Sequence, residues 1–124
     1  MNTILYVDDE PINLRLFAIN LKRSFNVITA ESPFDGLNFL ENHPEICVVV
    51  SDMRMPGMNG IEFIKKAREN RPDINYYILT GFDITKEIAE ALKSKLILEY
   101  FSKPLKVNDI IDVINKSLNS SDCK

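Results

Sequence analysis

The chain has 124 residues, 45% of them hydrophobic and 27% charged, with a formal net charge of −3. That length makes one domain, able to bury roughly two-thirds of the surface its unfolded chain exposes. Mild acidity without a basic block speaks against nucleic acid or an anionic membrane as a direct partner, and no apolar run approaches the roughly 20 residues of a bilayer span.

The N-terminus "MNTILYVDDE" turns acidic where a signal peptide needs a basic start and a longer apolar core, so the chain reads as cytoplasmic. Within it, "TILYVD" (3–8) predicts a strand, and "PINLRLFAINLKRSF" (11–25) a helix opened by proline at its first position. "NVITA" (26–30) is a second strand, after which Ser32 caps a helix that begins at Pro33 and carries Leu37, Phe39 and Leu40. His43, the only histidine, stands where that helix ends and reads as a solvated residue. "ICVVVSD" (46–52) is a third strand, apolar on both faces, and "IEFIKKAREN" (61–70) a third helix. "NYYILT" (75–80), "TKEIAEALKS" (85–94), "LILEYF" (96–101) and "VNDIIDVINKSL" (107–118) complete five strand–helix pairs. Cys47 reads as a small buried hydrophobe. Cys123 reads as a free thiol in a polar tail, with no bridge between the two in a reducing compartment.

Such alternation implies parallel strands joined by right-handed crossover helices, a three-layer α/β domain. Five units suit a flavodoxin-like (βα)5 fold with strand order 2-1-3-4-5. The domain is expected over residues 1–119, with 120–124 a disordered tail or the start of a linker. The chain is expected to be either a stand-alone domain or one cut from a larger protein, two readings its sequence leaves open.

In open sheets of this kind ligands collect at the carboxyl ends of the strands, where the winding reverses. Those ends carry Asp8-Asp9-Glu10, Glu31, Asp52, Thr80-Gly81 and Ser102-Lys103-Pro104. Each has a bland reading as well as a functional one. The acidic trio suits a helix start as well as a metal site. Asp52 suits a surface turn, Thr80 an ordinary β-branched strand end, and Lys103-Pro104 a solvated lysine before a helix. Their joint occurrence, each at the end of a different strand, favours a site.

Two carboxylates about 4 Å apart repel by roughly 4 kcal/mol at an effective dielectric of 20. Three in one crevice need more than one lysine to balance them. A hard divalent cation with oxygen ligands answers that need, and Mg²⁺ suits a site with few protein carboxylates because it keeps waters and accepts phosphate oxygens. Mg²⁺, a lysine and a hydroxyl around an aspartate are the parts of phosphoryl transfer, with Asp52 as the nucleophile.

The set "VDDE", "SDMRMPGMNG", "LTG" and "YFSKP" resembles the receiver domain of two-component response regulators, over residues 3 to about 118. The resemblance implies that Asp52 is the phosphoacceptor. It implies that Asp8 and Asp9 hold Mg²⁺ together with Asp52 and the backbone carbonyl of Arg54. Thr80 is then the switch hydroxyl, Lys103 the phosphoryl contact, and Tyr100 the aromatic residue that turns inward in the active state. The Lys103–Pro104 peptide bond is expected to be cis. The implied donor is a sensor histidine kinase or a histidine phosphotransfer protein. The implied output is a downstream protein or attached domain bound through the fourth helix, fifth strand and fifth helix.

The implied role is a phosphorylatable switch rather than a turnover enzyme. Arg54 and Phe82 stand where the family modulates dephosphorylation. Aspartyl-phosphate enzymes on related folds place a second carboxylate two residues after the nucleophile, and that position is Arg54 here. A pseudo-receiver would not need the intact set, and a flavodoxin-like cofactor binder would need a phosphate loop after the first strand. One departure stands out: "KSKLILEY" has no glycine to end the fourth helix.

Overall fold

Strands that are apolar along their whole length need cover on both faces, and the sheet supplies it. In the computed structural model, which describes residues 1–81 and 84–120, five strands run parallel in the order β2-β1-β3-β4-β5. They are β1 (Thr3–Val7), β2 (Asn26–Ala30), β3 (Ile46–Asp52), β4 (Asn75–Thr80) and β5 (Glu99–Ser102). The helices are α1 (Pro11–Leu21), α2 (Pro33–Asn42), α3 (Gly60–Asn70), α4 (Lys86–Lys93) and α5 (Val107–Ser120). The flavodoxin-like topology expected from the sequence is therefore present.

Alternate strand residues divide the core in two. Leu5, Val7, Val49, Tyr76 and Ile78 pack with Leu40 of α2, Phe63 and Ile64 of α3, and Ile88 of α4. Ile4, Tyr6, Val48, Val50, Tyr77 and Leu79 pack on the other face with Leu14, Phe17 and Leu21 of α1 and Ile110 and Ile114 of α5. β1 is buried at every residue and β3 at all but Cys47, while the edge strands β2 and β5 remain partly exposed. The two central strands thus hold their ends firmly, and Asp8 and Asp52 sit there.

Several sequence expectations shift. α1 stops at Leu21 rather than running to Phe25. The N–H groups of Ser24 and Phe25 both bond to the Leu21 carbonyl, and Phe25 folds into the core. Cys47 is half-buried where a buried residue was expected. A bulge between Ile46 and Val48 leaves it at the rim of the core. The reading of Cys123 as a free thiol lies outside the described residues, as does the expected tail of 120–124 apart from residue 120, the last of α5.

β5 begins at Glu99, three residues after the expected start. The cause is the end of α4. The Lys95 N–H bonds to the Leu92 carbonyl at 3.1 Å, and the Leu96 N–H reaches back to Ala91 at 2.9 Å. This is a Schellman cap, with Lys95 in the left-handed position at φ 63°. The amides of Leu96 and Ile97 are committed to the Ala91 carbonyl, so they cannot join the ladder to β4. The missing glycine is replaced by a strained lysine. Lys95 is exposed, so Lys95→Gly should stabilise the domain by about 0.5–1 kcal/mol. Thermal unfolding should show a midpoint raised by about 2–5 °C.

Candidate functional site

The carboxyl ends of β1, β3, β4 and β5 meet at one crevice. Asp8 follows the last residue of β1 and is fully buried. A buried carboxylate must be hydrogen-bonded, and both of its oxygens are. Oδ2 accepts from the Tyr6 hydroxyl at 2.6 Å, and Oδ1 accepts from the Glu10 N–H at 3.0 Å. Asp9 is half-buried beside it, and Glu10 is exposed. The acidic trio therefore divides: Asp9 shares the crevice and Glu10 only opens α1, with no side-chain cap.

Asp52 ends β3 and is 7% exposed. One oxygen each from Asp8, Asp9 and Asp52 lie within 4.8 Å of one another. Facing them, Lys103 Nζ stands 3.1 Å from Asp52 Oδ1 and 3.6 Å from Asp8 Oδ2. Three carboxylates and one ammonium leave the crevice formally two charges negative. Burial is the main cause that pushes the Asp52 carboxyl above the usual aspartate range; Asp8 adds to it, and Lys103 opposes both.

Lys103 owes its position to β4 and β5. Its own N–H donates to the Thr80 carbonyl at 2.7 Å, and the Lys103–Pro104 bond is cis, as expected. Thr80 is buried at the end of β4, level with Ser102. Tyr100 is half-buried on β5 and packs at the margin of the α2–α3–α4 face.

The turn after Asp52 is also set by close packing. Gly57 takes φ 83°, as the Pro56-Gly57 turn requires. Arg54 is exposed within that turn. At the far end Gly60 donates its N–H to the Met53 carbonyl, and a Cβ on Gly60 would fall 2.3 Å from the Asp52 carbonyl oxygen. Only glycine lets α3 start this close to the end of β3. Asn59 caps α3 in a reciprocal pair with Glu62. The capping-box spacing of Asn59 and Glu62 was legible in "NGIE", though the sequence reading began the helix one residue later.

Of the sequence-derived site residues, Asp8, Asp9, Asp52 and Lys103 meet at the crevice, and Thr80 is buried at the adjoining end of β4. Glu10 and Arg54 are exposed, and Tyr100 is half-buried on β5. Tyr6 was not singled out, because period-two alternation reads it as core. Phe82 lies outside the described residues. The donor set fits a hard cation: three carboxylates converge, with no histidine or cysteine among them. Among the described residues no helix is long and apolar enough to cross a membrane.

Comparison with known proteins agrees with this geometry. The family model of the response regulator receiver domain matches residues 4–115. The hydrogenase transcriptional regulatory protein HoxA of Cupriavidus necator is 30% identical over 118 residues, 95% of this chain but 24% of its own length. The chain thus spans about a quarter of that relative. A response regulator receiver domain protein from Clostridium thermocellum superposes with a TM-score of 0.84 at 31% identity, covering 97% of this chain and 96% of that one. The response regulator TrrA of Thermotoga maritima, in complex with Mg²⁺-BeF, superposes with a TM-score of 0.80 at 26% identity over 94% of this chain and 98% of its own.

The electrostatics of Asp52 give a signed prediction. Its folded-state pKa lies above the unfolded value, so the folded form binds the proton more tightly and the ionised carboxylate lowers stability. In divalent-free buffer near neutral pH, Asp52→Asn should therefore melt higher than the wild type. The gain should shrink as the pH falls through the raised pKa towards the ordinary aspartate range. Paired melting curves over that window check it; a gain that grows on acidification contradicts it.

Proposed function

The chain belongs to the response regulator receiver domain family, and on that premise we propose that Asp52 is its phosphoacceptor, taking a phosphoryl group from a phosphohistidine donor with Mg²⁺. The family places the chain in phosphorelay signalling of two-component systems. The observation that carries the finer reading is the approach of Lys103 Nζ to both Asp52 and Asp8 in a crevice with unbalanced negative charge.

In the proposed transfer, an Asp52 oxygen attacks phosphorus, the phosphorus–nitrogen bond of the donor breaks, and the imidazole leaves with that electron pair. The product is an acyl phosphate on Asp52. Lys103, already 3.1 Å from Asp52, neutralises charge on the incoming oxygens. Asp8, Asp9, Asp52 and the Arg54 carbonyl would hold Mg²⁺, which when bound would further neutralise the phosphoryl charge. Attack needs no proton from Asp52, only its ionised form, which Lys103 favours against burial.

The switch follows from what the new group adds. A phosphoryl group brings negative charge and strong acceptors into a crevice that Lys103 faces and that Thr80 adjoins at the end of β4. The Thr80 carbonyl is tied to the Lys103 N–H, so drawing either residue inward pulls on the ends of β4 and β5 together. Tyr100 on β5 then re-packs, and the α4–β5–α5 face changes. Ile84 and Leu98 are exposed on that side and give an output partner apolar purchase. For the donor, α1 flanks the crevice with exposed Ile12, Leu16 and Ile19 at helical spacing, beside a cavity of about 190 Å³ lined by Leu16, Lys103, Pro104 and Leu105. The domain so described is a stoichiometric switch, not a turnover enzyme.

Intact mass spectrometry tests this after incubation with Mg²⁺ and a small acyl-phosphate donor, beside a phosphorylated histidine protein as second donor. The wild type should gain one phosphoryl group. Asp52→Asn should gain none, EDTA should abolish the gain, and Lys103→Ala should slow it by at least about tenfold, as expected for loss of a charge-stabilising group. No gain from either donor would leave a pseudo-receiver that binds partners without phosphate.

A further inference from the structure

Tyr6 is a buried polar group of the core that reaches a carboxylate of the crevice. Its ring stacks on Phe17 of α1, with centroids 4.1 Å apart and planes 8° from parallel. The residue is 1% exposed. A buried phenol needs a partner for its proton, and the partner here is Asp8 Oδ2 at 2.6 Å.

With Oδ2 held by Tyr6 and Oδ1 by the Glu10 N–H at 3.0 Å, the Asp8 carboxylate cannot swing. That rigidity bears on which cation the crevice accepts. Mg²⁺ demands near-ideal octahedral geometry and takes carboxylates through single oxygens, keeping waters for the rest. Ca²⁺ takes six to eight oxygens in a flexible arrangement and readily uses both oxygens of one carboxylate.

Resting on the metal-binding reading above, we propose that Tyr6 is a positioning residue that sets the crevice's choice of divalent cation. It fixes Asp8 as a single-oxygen ligand and so favours Mg²⁺ over Ca²⁺. The chemistry is that of an outer-shell hydrogen bond orienting a ligating carboxylate, an interaction whose loss typically costs 10–100-fold in metal affinity. Removing the hydroxyl while keeping the ring frees Asp8 to rotate. Mg²⁺ loses its prepared ligand, and Ca²⁺ gains access to a second oxygen.

Calorimetric titration of the wild type and Tyr6→Phe with magnesium chloride and, separately, calcium chloride reads this directly. The variant keeps the stack on Phe17. The ratio of Ca²⁺ to Mg²⁺ dissociation constants should fall about tenfold in Tyr6→Phe, mainly through weaker Mg²⁺ binding. Equal weakening of both ions marks a merely structural tyrosine and overturns the proposal, as does an unchanged ratio. A wild type that binds no Mg²⁺ overturns the metal reading beneath it as well.

A second measurement needs no variant. The Tyr6 hydroxyl proton, assigned by its proximity to the Tyr6 ring, should give a downfield NMR resonance that moves more on adding Mg²⁺ than on adding Ca²⁺. Amide shifts at Asp8 and Asp52 with no movement of that resonance would contradict the proposal.

Discussion

The crevice holds more negative charge than its own cation can balance, and the surrounding structure is arranged to keep that charge in place. Asp8, Asp9 and Asp52 bring carboxylate oxygens within 4.8 Å of one another, with Lys103 the ammonium that faces them. Left to relax, such groups would move apart or protonate. Two of them cannot move, because they stand at the ends of β1 and β3, whose side chains are locked into both layers of the core. The strands act as rigid supports, and the repulsion is stored at their ends.

Other features make sense in that light. Asp8 survives complete burial because a phenol and a backbone amide satisfy it. Lys103 is held to β4 through the Thr80 carbonyl, so it answers to events at the threonine. Gly60 lets α3 begin against the Asp52 carbonyl, which fixes the base of the turn carrying Arg54. A site that is under-neutralised without its ligands is one whose stability depends on them, and stability given up at a functional site is a common exchange in proteins. The proposed phosphoryl transfer draws on the same imbalance.

Much of this was legible in the sequence, for a physical reason. Parallel α/β folds bury their strands on both faces, so "VVVSD" announces a central strand and the residue at its end announces the crevice. Asp8, Asp9, Thr80 and Lys103 are found the same way. What escaped notice depends on tertiary detail. Lys95 in the left-handed region contradicts the usual glycine, and the cap it completes takes three residues from the expected β5. Tyr6 obeys the alternation of an ordinary core strand; only the buried carboxylate two residues on gives its hydroxyl a task. Gly60 is one of four glycines, and nothing in its spacing reveals the carbonyl that a side chain would strike. The bulge that moves Cys47 to the rim likewise leaves no mark in "ICVVV".

The central claim is that metal and phosphoryl group occupy this crevice as one unit and that their arrival is felt on β5. An amide NMR titration with Mg²⁺, followed by beryllofluoride as a stable phosphoryl mimic, tests it most directly. The account predicts that Mg²⁺ alone moves resonances around Asp8, Asp9 and Asp52. Beryllofluoride should then extend the changes through Thr80 and Lys103 to Tyr100. Shifts confined to the acidic residues after both additions would contradict a switch. An unchanged spectrum would contradict the site itself.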